Sequence, residues 1–163
     1  MKQQCHIAMI YLSWAVYLGG LVVLVSYSHW ALAALWLAIV PAIEWLYIRK
    51  FPSFSASMGY GPITDRPADA LTPAPVKVTL YTALGCPFCP LIEQRLDTLR
   101  KSMNFTLEKI DVTLRPDLLA SRGIRTVPVV EVQGRLLTGL ASTRDLVEAI
   151  APPAAKASEA ARR

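Results

Sequence analysis

The chain has 163 residues and a formal net charge of +5, with 53% hydrophobic and only 18% charged residues, a balance that points to a membrane segment joined to one small soluble domain. The positive charge does not imply a nucleic-acid partner: residues 76–150 carry ten Lys or Arg against eight Asp or Glu with the signs interspersed, as on an ordinary solvated surface. Three cysteines, two of them a close pair, fit a reducing compartment rather than a disulfide-stapled secreted domain.

Residues 7–27 hold no charged side chain and residues 30–48 only Glu44, so each stretch meets the ~20 apolar residues of a spanning helix. Only Ser28 and His29 separate them. Residues 1–50 are therefore expected to form a two-helix transmembrane hairpin that returns the chain to its starting side, with the bilayer as a partner. Lys2 precedes the first span and Arg49-Lys50 follow the second, while the turn has no Lys or Arg; this puts both termini and the C-terminal domain on the cytoplasmic side of the inner (cytoplasmic) membrane. A signal peptide cleaved near Ser28 is the alternative, disfavoured because the first stretch exceeds the ~7 to 15 apolar residues usual there.

Within the hairpin, Trp14, Tyr17, Tyr27, Trp30, Trp36, Trp45 and Tyr47 divide between interfacial anchors at span ends and packing residues between them. Gly19-Gly20 and the alanines of the second span permit close helix contact, and Pro41 is expected to kink that span. Glu44, about one turn before Arg49-Lys50, reads as an interfacial carboxylate rather than an ion path. Cys5, beside the first span, is expected to be an idle reduced cysteine, with acylation or a third redox role as alternatives.

Residues 51–75 contain five prolines and Gly59 and Gly61, predicting a connector without regular secondary structure. Its first half, with Phe51, Phe54, Met58 and Tyr60, suits the membrane surface; residues 64–75 suit a semi-stiff spacer. A soluble α/β domain follows over residues 76–151 in the order βαβαββα. Its strands are expected at 76–81, 105–112, 127–132 and 135–137, with helices at 87–102, near 116–121 and from Ser142. Gln133-Gly134 marks a hairpin turn, and Ile92, Leu96, Leu99 and Met103 form an apolar stripe that packs on a sheet covered by helices on both faces. The tail, residues 152–163, reads as disordered.

Cys86-Pro87-Phe88-Cys89 crowns the first strand-to-helix turn of this domain. Unpaired N–H groups and the dipole of a helix start favour thiolate at Cys86, the attacking sulfur. Cys89 lies within disulfide reach and resolves the mixed disulfide that Cys86 forms, so replacing Cys89 should trap such adducts. A zinc site would need two further ligands from Cys5, His6 and His29, which lie in or beside the apolar region.

The 76–81 strand, the CxxC helix start and Thr126-Val127-Pro128 together resemble the thioredoxin superfamily over roughly residues 76–150. Within it the Cys-Pro-aromatic-Cys motif and the minimal element count are similar to the glutaredoxins. The resemblance implies a cis-proline loop facing the CxxC, in which the Val127 backbone pairs with an extended substrate and Pro128, lacking an N–H, leaves the sulfurs free. Thr126 flanks that contact, and Pro87 and Phe88 tune thiolate stability and exposure. Glutathione-using glutaredoxins carry a Lys shortly before the motif and Gly-Gly with an acidic residue before the last helix. Here Thr82 and Ala83 stand at the first place and Gly139 with residues 140–143 at the second. Only Arg125, Thr126 and Val127 remain to contact a tripeptide thiol, so no cofactor beyond the cysteine pair is expected and glutathione use is disfavoured. Pro90 resembles the Cys-Pro-aromatic-Cys-Pro of some prokaryotic glutaredoxin-like oxidoreductases that work on protein disulfides, and costs little in a first helical turn.

The expectation is a membrane-anchored thiol-disulfide oxidoreductase with Cys86 and Cys89 as catalytic pair. Its substrate is a disulfide-bearing protein near the membrane, and its electrons come from a thioredoxin-reductase-type or other thiol donor. The alternative is a non-catalytic metal or iron-sulfur module that recruits a membrane complex. Electron relay by the hairpin itself has no cysteine inside either span to support it.

Overall fold

The structure, a computed structural model, describes residues 3–57 and 76–151. The spacer from residue 58 onward, with Met58 and Tyr60, and the tail at 152–163 lie outside the described residues.

A two-residue strand, β1 (Cys5–His6), leads into helix α1 (Ile7–Ser26), and α2 (Trp30–Ser57) runs back beside it. The reversal is as tight as expected: Ser28 takes a positive φ of 59° and the His29 N–H donates to Leu24 O at 2.9 Å. Both helices are long and apolar enough to cross a bilayer, and only 11% and 6% of their most apolar windows are buried. A core helix of a soluble domain would bury most of that surface. The helices meet where Gly20 faces Trp36, whose indole N–H donates to Tyr17 O at 3.2 Å while its ring stacks on Tyr17. Ala33 is buried, but Gly19 meets no neighbour, so only one of the paired glycines serves the contact.

The connector expected from residue 51 begins later, because α2 continues to Ser57 with both Pro41 and Pro52 inside it. Phe51 is a second departure from expectation. Its side chain is buried, with its ring packed on Tyr47 and Phe88, rather than lying on a membrane surface. That contact explains the continuation: burying an aromatic against the soluble domain offsets the hydrogen bond lost at Pro52.

The soluble domain comprises β2 (Val76–Thr82), α3 (Cys89–Leu99), β3 (Phe105–Asp111), α4 (Pro116–Arg122), β4 (Thr126–Val127), β5 (Val129–Val132), β6 (Arg135–Thr138) and α5 (Thr143–Ile150). The four-stranded sheet has the order β3-β2-β5-β6, with β2 and β3 parallel and the other neighbours antiparallel. Strand alternation sends Val78 and Leu80 to one face, where Ile92, Leu96, Leu99, Leu146 and Ile150 of α3 and α5 close the main core. Ser142 caps α5 as its position suggests, accepting from the Asp145 N–H at 3.1 Å while the Asp145 carboxylate accepts from the Ser142 N–H at 3.3 Å. Leu96 is fully buried in this core. Leu96→Ala should cost about 2 to 5 kcal/mol, seen as a lower denaturant midpoint with unchanged slope.

The opposite face is only partly covered, against the expectation of helices on both sides. α4 buries no residue, and Thr79, Tyr81, Lys77, Glu108, Arg122 and Glu131 line an open trough of about 630 Å³. Its polar groups pair internally: Tyr81 O–H donates to Glu131 at 2.7 Å and Arg122 bridges Glu131 at 3.0 Å. Pro128 ends the expected 127–132 strand early, splitting it into β4 and β5, since a proline has no N–H for the ladder.

Candidate redox site

The second face of the sheet near the end of β2 carries a smaller apolar cluster in which Tyr81, Ala83, Cys86, Cys89, Val127 and Val129 meet Ile7 and Ile10 from the first turn of α1. The hairpin thus packs directly beside the CxxC. Tyr11 extends this junction by donating its hydroxyl to Thr113 O at 2.8 Å, and Phe51 of α2 meets Phe88 edge-on at 5.4 Å between ring centroids. Phe88 is therefore half-buried under α2.

After β2 the chain turns sharply, with Cys86 N–H donating to Ala83 O and Cys89 N–H to Cys86 O, both at 3.3 Å. Helix α3 starts at Cys89, two residues later than expected, so Cys86 sits in the turn before the helix and Pro90 in its first turn. The turn requires Gly85. Its φ is +88°, and a Cβ there would lie 2.9 Å from Glu44 Oε1 of α2. Gly85→Ala should destabilise the chain by about 1 kcal/mol or more, and hydrogen exchange should rise locally across residues 83–89.

Cys86 is 2% exposed and Cys89 5%. Cys86 is joined by a disulfide to Cys5, 81 residues away, with their Cα atoms 6.0 Å apart, and Cys89 is a free thiol. This corrects the reading of Cys5 as an idle reduced cysteine. The long hairpin excursion ends where it began, bringing the residues just before α1 to the CxxC turn. The Cys86 Sγ also lies 3.7 Å from Val127 O, and the Val127–Pro128 peptide is cis, so the loop expected to face the motif does so. Thr126, Val127 and Pro128 are buried beside it, while Arg125 is exposed.

Burial pushes the Cys89 thiol up to about 12; Asp111 adds to the rise, and the Ala83 backbone and Lys109 oppose it. The free thiol is thus protonated at neutral pH. The native state keeps this proton where the unfolded chain, with an ordinary thiol pKa of about 8.5, has lost it. Its contribution to stability is whole below that value and is lost as pH rises toward 12, so the unfolding midpoint should fall between pH 9 and 11, and less so in Cys89→Ala. A cavity of about 230 Å³ opens beside both sulfurs, lined among others by Trp45, Cys86, Cys89, Glu93, Lys109 and Asp111. Lys109 pairs with Glu93 at 2.8 Å, so charge of both signs borders the buried thiol.

No group of three or more His, Cys, Asp or Glu stands where it could hold a metal ion among the described residues. Cys5 meets Cys86, but His29 is at the far turn of the hairpin, one helix length away.

Residues 77–150 match the glutaredoxin-like domain family (DUF836). Two curated relatives, each described as a probable thioredoxin, come from Methanothermobacter marburgensis and Methanothermobacter thermautotrophicus; each is 28% identical over 78 residues, covering 46% of this chain and 92% of the relative. Among solved structures, the NTD_N/C domain of alkylhydroperoxide reductase AhpF from Enterococcus faecalis has a TM-score of 0.47 at 20% identity, covering 61% of this chain and 52% of its own. A mutant thioredoxin from Halobacterium salinarum has a TM-score of 0.40 at 27% identity, covering 48% of this chain and 76% of its own.

The strand order explains which side chains meet. β2 and β5 are adjacent, so the turn after β2 and the Pro128 turn before β5 lie at the same sheet end. Sequence reasoning found that pair but not Glu44, Lys109, Asp111 or the partner of Cys5. The one signal for Cys5 was the hairpin itself, which returns the chain to the side where Cys5 lies.

Proposed function

We propose that this protein is a membrane-anchored thiol-disulfide oxidoreductase that reduces disulfides of proteins at the membrane surface. Cys86 is the nucleophile, and the observation that carries the reading is its position: in a disulfide, beside the Val127 carbonyl, one turn from a second buried thiol. Cys86 thiolate attacks a substrate disulfide, one substrate sulfur leaves with a proton, and the mixed disulfide is resolved when Cys89 attacks Cys86 Sγ. The second substrate thiol is then released and a disulfide remains on the enzyme. A thiol donor, from a reductase or a small dithiol, restores the pair. Val127 and Thr126 offer backbone groups to an extended substrate, Pro128 donates nothing to compete, and Pro87 and Phe88 shape the sulfur environment.

The hairpin is the anchor, with both termini cytoplasmic, as Lys2, Arg49 and Lys50 at one end and a turn without basic residues favour. Beyond the contacts with the soluble domain, which reach Trp14 and Glu44, residues 15–26 and 30–43 extend only about 20 Å at 1.5 Å per residue. That is shorter than a hydrocarbon core of about 30 Å, so the domain rests against the interface and acts on substrates near it. The chain has no Lys shortly before the motif and no Gly-Gly with an acidic residue before the last helix, so protein disulfides are favoured over a tripeptide thiol as substrates.

The test is dithiol-driven reduction of a fluorescent peptide disulfide by the full chain in lipid nanodiscs. Turnover that depends on Cys86 supports the reading; none above the buffer rate overturns it.

A further inference from the structure

The N-terminal strand lies where an extended substrate would lie. β1 pairs antiparallel with β4, Cys5 opposite Val127 and His6 opposite Thr126. On either side the backbone is held again: Leu140 N–H donates to Gln3 O at 2.7 Å and Ile7 N–H to Arg125 O at 3.1 Å. The Thr126 hydroxyl donates to Gln4 Oε1 at 3.3 Å, and Ile7 and Ile10 are buried in the cluster that holds Cys86, Cys89 and Val127. A bare disulfide would need none of these contacts. An extended segment on the cis-proline strand, its cysteine bonded to the nucleophile, has the form of a mixed disulfide with a peptide substrate.

We propose that Cys5 is a third redox-active thiol and that residues 3–6 are a tethered occupant of the substrate cleft, which the chain closes on itself by exchanging the partner of Cys86 between Cys5 and Cys89. The proposal rests on the thiol-exchange reading above. In the opening step Cys89 gives up its proton and its thiolate attacks Cys86 Sγ. The Cys86–Cys89 bond forms as the Cys5–Cys86 bond breaks, and Cys5 leaves as a thiolate that takes up a proton. No net oxidation occurs, and the reverse step closes the cleft again. In the closed form an external substrate finds both the strand site and the nucleophile taken. In the open form β1 is free to leave. Cys5 also competes with Cys89 to resolve any adduct on Cys86, because the pairing of β1 with β4 holds it opposite Val127 beside the nucleophile.

The experiment uses the full chain in nanodiscs, oxidised with diamide, alkylated in acid and mapped without reduction. Wild type is expected to yield Cys5–Cys86 and Cys86–Cys89 linked peptides. Cys89→Ser should yield Cys5–Cys86 with no thiol left to alkylate, and Cys5→Ser only Cys86–Cys89. A fluorescent peptide disulfide is then offered to the reduced variants. The Cys5→Ser/Cys89→Ser double variant should retain at least tenfold more adduct on Cys86 than Cys89→Ser, in which Cys5 expels the peptide. Equal adduct in the two, or no Cys5–Cys86 peptide in oxidised Cys89→Ser, overturns the proposal. Absence of adduct in the double variant overturns the exchange reading itself, whereas the Cys5–Cys86 linkage is read independently of it.

Discussion

Replacing Cys86 by serine is expected to remove disulfide reduction to the background rate, a fall of at least about three orders of magnitude. A serine hydroxyl is not ionised at neutral pH and forms no stable bond to a substrate sulfur, so neither the attack nor the covalent intermediate survives. The change also removes the Cys5–Cys86 disulfide, but the fold should survive, because the main core around Leu80, Ile92 and Leu146 lies on the other face of the sheet. Steady-state reduction of a peptide disulfide, with circular dichroism as a control on folding, reads the effect. Turnover persisting in Cys86→Ser would mean that another thiol carries the chemistry.

The resolving step should depend steeply on pH. With the Cys89 thiol raised to about 12 by burial, its thiolate fraction grows about tenfold for each pH unit across the neutral range. Opening of the Cys5–Cys86 disulfide by Cys89 should therefore accelerate about 100-fold between pH 6.5 and 8.5, with no plateau. Quench-flow alkylation and peptide mapping of the oxidised full chain would follow it. The groups that bear on this thiol are Asp111, Lys109 and Glu93. A rate that levels off inside this range would contradict attack by a thiolate whose thiol is raised that far.

Much of this was legible from local pattern. The β-branched run of β2, the stripe of α3, the Gln133-Gly134 turn with both φ positive, and the Ser142 cap are each dictated by residues close in sequence. So was the meeting of the CxxC with Pro128, because a resemblance to a known superfamily supplied the long-range pairing. The misses are long-range or depend on packing. Pro52 reads as a helix breaker until Phe51 is seen buried against Phe88. The short α4 reads as a cover for the sheet until its lack of buried side chains leaves the Tyr81–Glu131–Arg122 trough open. Cys5 has no local signal at all. Its pairing follows only when the length of the hairpin and the register of β1 on β4 are both known.

The central claim is that a reversible cysteine couple built on Cys86 does the work. A redox titration of the full chain in nanodiscs against dithiol buffers, with Cys86→Ser as the blank, tests it most directly. The account predicts a reversible two-electron couple between about −270 and −200 mV, the range of thioredoxins and glutaredoxins, absent from the blank. A couple that persists in the blank, or the absence of any reversible couple in the wild type, would contradict it.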